Sequence, residues 1–344
     1  MPEETVRIGF VPLVDCALLA IAREQGFFSR YNVEVELRKA QSWAQASDKL
    51  LSGEWDAAHL LITMPLRFAL ASAGPPPVNY AFSLSCNGNG LILANALWND
   101  GVRDGSGLSA WMSAHPGRTL RFGVVFPRGT QEYFLRTWLI HGGLTLGERI
   151  NLAIIPPQEM VGRLRKGEID GFCAGEPWSR RAAASKLGRL VAESGRLMPG
   201  LGEKVLGTRR DWHRGHTLEH SRLIRALHQA ATWMADPGNL ADAVEIVASK
   251  RYVNAPKSVV EDALRGAAAG SPVSGGMVDG RFPSARPNFP LRAHAAWYLD
   301  QMRKWGHADA TSVSALDLQS ICLEGFHESS LSFAPQSPRP SAPG

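Results

Sequence analysis

The chain has 344 residues, a length that suits two lobes of ordinary size better than one compact core. With 44% hydrophobic and 20% charged residues it lies far from a disordered composition, and its formal charge of +5 is spread too thinly to track a nucleic-acid backbone. No apolar run approaches the roughly 20 residues needed to span a bilayer. The four cysteines (Cys16, Cys86, Cys173 and Cys322) stand far apart, fit no metal spacing and read as small core residues.

In chain order, residues 1–7 are acidic where a secretory leader would be basic, which sets the expectation of a cytoplasmic protein. Residues 6–11 read as a buried strand, 16–23 as a helix closed by Gly26, 27–31 as a turn and 33–37 as an alternating strand. This β-α-β opening predicts a parallel sheet. A helix over 44–51 and a strand over 55–60 follow, then strands over 79–84 and 91–94 on either side of a Gly/Asn turn. The same pattern restarts with a strand over 120–126, a helix over 130–140, a strand over 152–155, a helix over 158–166 and a strand over 171–174. Two similar α/β lobes imply a cleft between them. Helices are expected over 221–234, 240–249 and 292–305, a long surface loop over 266–290, and a disordered low-complexity tail over 329–344.

Six stretches carry a specific resemblance: GFVPLVDCALLAIAREQGFF (9–28), SWAQASDKLLSGEWDAAHLLITMPL (42–66), FGVVFPRGTQEYFLRTWLIHGGL (122–144), IIPPQEMVGRLRKGEIDGFCAGEPW (154–178), GEKVLGTRRDW (202–212) and AAWYLDQMRKWG (295–306). In these the chain resembles the nitrate- and bicarbonate-binding proteins of ABC uptake systems and their cytoplasmic relatives, the NasS-type nitrate/nitrite sensors. The resemblance implies a type II periplasmic-binding-protein fold with two α/β lobes. One lobe would hold residues 1–93 and 204–328 and the other 94–203, with crossings near 93 and 203. It also implies Trp43, Asn87, Asn89, Gln131, Gly175 and Lys204 at or beside the ligand, nitrate or nitrite.

The residue chemistry fits an oxyanion, which needs a counter-charge and several donors in a partly dry cleft. Lys204 would supply the cation, Trp43 a donor-only indole N–H, and Asn87 and Asn89 amides among glycines. Gln131 would stand as a neutral donor at a helix start, and Gly175 would open a turn whose backbone could donate. Taken singly, Trp43 is a core aromatic, Lys204 a surface lysine, the Asn-Gly-Asn-Gly run a hairpin turn, His59 a satisfied core histidine, and Glu176 a residue that orients its turn. Transport members of the family generally carry His where this chain has Gln131 and Gln where it has Asn89, which changes reach. A Lys204 without a paired carboxylate speaks against bicarbonate and against bound metal, so no cofactor is expected.

The sequence-based function is therefore a cytoplasmic nitrate/nitrite sensor that, by resemblance, controls a NasT-type RNA-binding antiterminator. The alternative is the substrate-binding subunit of a nitrate/nitrite ABC transporter. A thiamine-pyrimidine or menaquinone-pathway enzyme on the same fold is a third reading, and the chain offers no Ser-His-Asp set, cysteine cluster or paired carboxylates in support of it.

Overall fold

The structure, a computed structural model, describes residues 5–268 and 286–332. Its strands are β1 (Val6–Phe10), β2 (Val35–Lys39), β3 (Ala57–Leu61), β4 (Val78–Cys86), β5 (Asn89–Ala94), β6 (Leu120–Val124), β7 (Ile150–Ile154), β8 (Gly171–Gly175), β9 (Gly188–Glu193) and β10 (Gly202–Arg209). They form two sheets of five, ordered β2-β1-β3-β10-β4 and β7-β6-β8-β5-β9. Each sheet has a parallel trio, β2-β1-β3 or β7-β6-β8, followed by one strand running the other way, β10 or β5. That reversed strand is in each case the first after the chain has crossed between the sheets.

Helices cover the sheets because the inner strands are apolar on both faces. All five residues of β3 are buried, as a two-sided parallel position demands. Helices Ala17–Glu24, Thr217–Ala235, Leu240–Ala248 and Lys257–Ala268 pack on one face of the first sheet, with Leu19, Ile21, Leu223, Leu227, Val247 and Val260 meeting Ile8 and Phe10. A second core runs from the other face of that sheet (Trp43, Leu60, Leu61, Tyr80) into the second lobe (Phe122, Val124, Phe172) and includes Tyr298 and Leu299 of the helix Arg292–Lys304. The two lobes thus share one apolar core behind the cleft. No described helix is long and apolar enough to cross a membrane.

The two-lobed α/β fold expected from sequence is present, with its crossings displaced. β4 and β5 lie in different sheets, so the Asn-Gly-Asn-Gly run is the first crossing and not a hairpin turn. The reason is packing: Leu91, Ile92 and Leu93 are fully buried between β8 and β9. The division expected at 93 therefore falls inside the second sheet, and the chain crosses at 87–88. It returns between Glu193 and Gly202, so the expected boundary at 203 lies just within β10. Phe27–Arg30 is a short helix where a turn was expected. The expected loop over 266–290 begins inside the helix Lys257–Ala268, and its stretch 269–285 lies outside the described residues. The expected tail begins inside the helix Glu324–Ser332, with 333–344 outside the described residues.

Candidate functional site

β10 is irregular where it meets β4, with register shifts around Lys204. Successive side chains of a regular strand point to opposite faces. A bulge lets neighbours share a side, and here Lys204 Nζ donates to Glu203 Oε2 at 2.8 Å. Lys204 is 0% exposed, and all three of its ammonium protons have acceptors: Glu203, Asn89 Oδ1 at 3.2 Å and Asp15 Oδ1 at 3.3 Å. Burial alone would push its pKa down. The Asp15 and Glu203 carboxylates outweigh that and hold it above the ordinary lysine value, so the ammonium is charged. The expectation of a lysine without a carboxylate is wrong, and the argument it carried against bicarbonate goes with it. Asp15 comes from the turn after β1, 189 residues away in sequence, and only the fold brings it there.

The hydrogen-bond polarity of this cluster is fixed from its ionised end. Glu203 Oε2 accepts from Gly88 N–H at 3.0 Å and from Asn89 Nδ2 at 2.6 Å. A carboxylate only accepts, so the Asn89 amide nitrogen must donate to it and its oxygen must face the other way. That oxygen accepts from Lys204 and from Gln131 Nε2, the latter at 2.8 Å. Gln131 is thereby oriented with its own Oε1 buried and unpartnered. The sequence reading had Gln131 facing a ligand as a donor. Its amide nitrogen instead has one bond to Asn89, and its oxygen is the atom without a partner.

Further buried polar atoms on the flanking elements lack a partner among the described residues, Trp43 Nε1, Thr63 Oγ1 and Thr130 Oγ1, and the His59 ring has only the Val11 carbonyl within loose reach. Trp43 and His59 meet edge to face at 5.0 Å. Burial, then the Lys204 charge, pushes His59 down to about 3, so the ring is neutral and offers one N–H. The core histidine expected from sequence is fully buried on β3, with the Val11 carbonyl as the one backbone group that favours its N–H. Thr63 and Thr130 begin the helices Thr63–Ala71 and Thr130–His141, neither of which has a side-chain cap. A helix start carries roughly half a positive charge. Lys204 plus two such ends comes to about +2, against −2 from Asp15 and Glu203. The site is close to neutral before any ligand, and directed donors rather than net charge would hold an anion there.

Of the six residues expected in the site, the structure joins Asn89, Gln131 and Lys204 directly and brings Trp43 in through His59. Gly175 is a neighbour by what it lacks: a Cβ there would stand 3.2 Å from Asp15 Oδ2 and 3.8 Å from Asn89 Oδ1. Asn87 does not join the network. It has a φ of 61°, lies beside Gly195 and faces the outer cleft. That cleft encloses about 290 Å³, with Asp15, Ser85, Glu176, Arg180 and Glu193 in its wall. Arg180 there holds Glu176 at 2.6 Å and Glu193 at 2.8 Å, and the Glu176 carbonyl accepts from Val14 N–H at 2.8 Å across the lobes. Glu176 thus does tie down its turn. Asp15, His59, Thr63 and Thr130 were missed as site residues. The available signal was position, because Asp15 and Thr63 follow the carboxyl ends of β1 and β3, where ligands of α/β sheets gather. No group of three or more His, Cys, Asp or Glu among the described residues could hold a metal ion.

The description of the NMT1-like family matches residues 1–248. The nitrate/nitrite binding protein NrtA of Synechococcus elongatus is 31% identical over 89% of this chain and 73% of its own length. The bicarbonate transport ATP-binding protein CmpC of the same species is 30% identical over 94% of this chain and 49% of its own, and this chain spans about half the length of such ATP-binding relatives. Among solved structures, the periplasmic nitrate-binding protein NrtA from Synechocystis superposes with a TM-score of 0.84 at 25% identity, over 96% of this chain and 88% of that one.

Proposed function

The chain belongs to the NMT1-like family, and from that premise we propose that it is a binding protein for a small monovalent oxyanion of the nitrate and bicarbonate type, acting as the substrate-binding component of an import system. The observation that carries this is a set of unpartnered buried donors, Trp43, Thr63 and Thr130, on the elements beside a charged, fully buried Lys204: Thr63 follows the strand paired with it, Thr130 precedes Gln131, and Trp43 packs on His59 of that strand. Buried polar groups are normally satisfied, so a cluster of orphans at the ends of two uncapped helices is chemistry waiting for a partner. An oxyanion with a delocalised charge supplies acceptors in several directions. The donors come from both lobes, so the ligand favours the arrangement in which the lobes meet.

Transport is preferred to the sensor reading because the relatives are import and binding proteins by name. The cytoplasmic sensor with an antiterminator partner rests on sequence resemblance, and the site geometry favours neither role over the other. Thermal unfolding with nitrate, nitrite, bicarbonate, chloride and sulfate tests the site. A ligand at a hundred times its dissociation constant adds about 2.7 kcal/mol. At least one of the first three is expected to do so while chloride and sulfate do not. Equal response to all five would remove the site.

A further inference from the structure

We propose that Asp15 is the residue that decides which oxyanion this site takes, holding off fully deprotonated anions such as nitrate and accepting one that carries its own O–H, such as bicarbonate. The proposal rests on the oxyanion reading above.

Lys204 has no proton to spare, so an anion that reaches it must displace one of three acceptors. Glu203 is locked, because its Oε2 also holds Gly88 N–H and the Asn89 amide. Asn89 is locked by Gln131 on one side and Glu203 on the other. Asp15 makes the longest of the three contacts, at 3.3 Å, and its side chain is 3% exposed. Its Oδ1 is shared between Lys204 and the Ser85 hydroxyl, and its Oδ2 has no partner among the described residues. Asp15 is therefore the internal competitor of the ligand: a carboxylate occupying the lysine proton that an incoming anion needs.

Its second oxygen gives the competition a direction. Oδ2 faces the gap left by the missing side chain of Gly175, on the same side as Asn89 Oδ1. An anion with only acceptors meets there a carboxylate oxygen with nothing to give, and like charges repel at low dielectric. An anion bearing an O–H donates to Oδ2 and turns the repulsion into a charge-assisted hydrogen bond. The unpartnered Gln131 Oε1, whose orientation is fixed by Asn89 and Glu203, is a second acceptor of the same kind.

The test is calorimetric titration of nitrate and bicarbonate into wild type, Asp15→Asn and Gly88→Ala. In Asp15→Asn the side-chain oxygen stays with Lys204 and Ser85, so an N–H donor replaces the free oxygen. Nitrate is expected to tighten at least tenfold while bicarbonate weakens, moving their affinity ratio thirtyfold or more. Gly88→Ala keeps the charge but puts a Cβ 2.6 Å from Asp15 Oδ1, which forces the carboxylate off Lys204. Nitrate is expected to tighten about threefold there with bicarbonate retained, and this variant carries the test should Asp15→Asn fail to fold. Equal changes for both anions, or no gain for nitrate in either variant, would overturn the role of Asp15. Wild type that binds neither anion would overturn the site reading itself, and this proposal with it.

Discussion

Two cations stand at one cleft, Arg180 in its wall and Lys204 buried behind Asp15 and Asn89, and each lies between two carboxylates. On the first-lobe side Lys204 lies between Asp15 and Glu203, wholly buried; on the other Arg180 lies between Glu176 and Glu193 and is itself only partly buried. The arginine spreads its bonds over a planar fork, one nitrogen to each glutamate, and one helix, the turn before it and one strand end of the second lobe supply the three residues. Its geometry is saturated and local. The lysine is a point charge whose three acceptors come from β10, β5 and the turn after β1, hence from both lobes. An ammonium can trade one partner for another without losing a matched pair, which a bidentate guanidinium cannot do. The arginine group therefore holds a wall together, and the lysine group can exchange.

Removing the two cations gives the largest expected contrast. Lys204→Met leaves two buried carboxylates without a counter-charge, which costs about 3–5 kcal/mol by the experience of broken buried pairs. Arg180→Met should cost about 1–2 kcal/mol, because Glu193 reaches water and Glu176, already raised by burial against the pull of Arg180, takes a proton. Urea unfolding of both variants measures the difference, and equal losses would break the comparison. The loss in Lys204→Met also reverses what the sequence suggests, since a lysine paired only with water would leave the free protein unharmed.

Acid sharpens the same contrast, because the buried histidines near β10 are on the lysine side. His59 is pushed down to about 3 by burial and Lys204, and His294, against Gly202, is pushed down to about 4 by burial. Their folded values lie below the unfolded value, so the unfolded chain takes up protons first as pH falls below about 6.5. Stability from them is complete above that pH and is lost as pH falls towards about 4 for His294 and about 3 for His59. Each should remove about 2 kcal/mol between pH 7.5 and 5. Denaturant midpoints at the two pH values check this, with His59→Phe expected to show a smaller drop than wild type.

The smallest effect is on the ligand alone. Trp43→Phe keeps the ring against His59 and deletes one donor, so anion affinity should fall about five- to tenfold, roughly 1 kcal/mol, with stability nearly unchanged. Arg180→Met should leave affinity within about twofold. Titration of the best-bound anion into both separates an exchanging group from a wall.

Much of the fold was legible because its strands are short apolar runs between turn signals: β1, β6 and β8 and the helix Thr130–His141 fall where periodicity puts them. β9, with a single fully buried residue and charges at both ends, has no such signal, and the helix Gly105–Ala114 is hidden by its glycines and serines. The site was legible only by resemblance. Asn89, Gln131 and Lys204 could be picked out in this way, but their partners could not. Strand alternation would send Glu203 away from Lys204, and a bulge overrules it. Beyond its place after the carboxyl end of β1, nothing marks Asp15, whose partner is a distant lysine, and His59 is defined by burial between neighbouring strands.

The crossings at 87–88 and between Glu193 and Gly202 have a kinetic consequence. Asn89 and Glu203, which accept from Lys204, and Gly88, which donates to Glu203, are on or beside these two passages, while Trp43, Thr63 and Thr130 begin helices of the separate lobes. In a hinged body the points nearest the axle travel least. Opening would leave the lysine cluster assembled and part the outer donors, so capture begins on a ready-made seat and finishes as the wings come in. Departure must run backwards through the same order. How long the anion stays is then set by the bonds that join the lobes, Val14 to Glu176 and Arg67 to Pro127 among them, and those bonds touch no ligand at all.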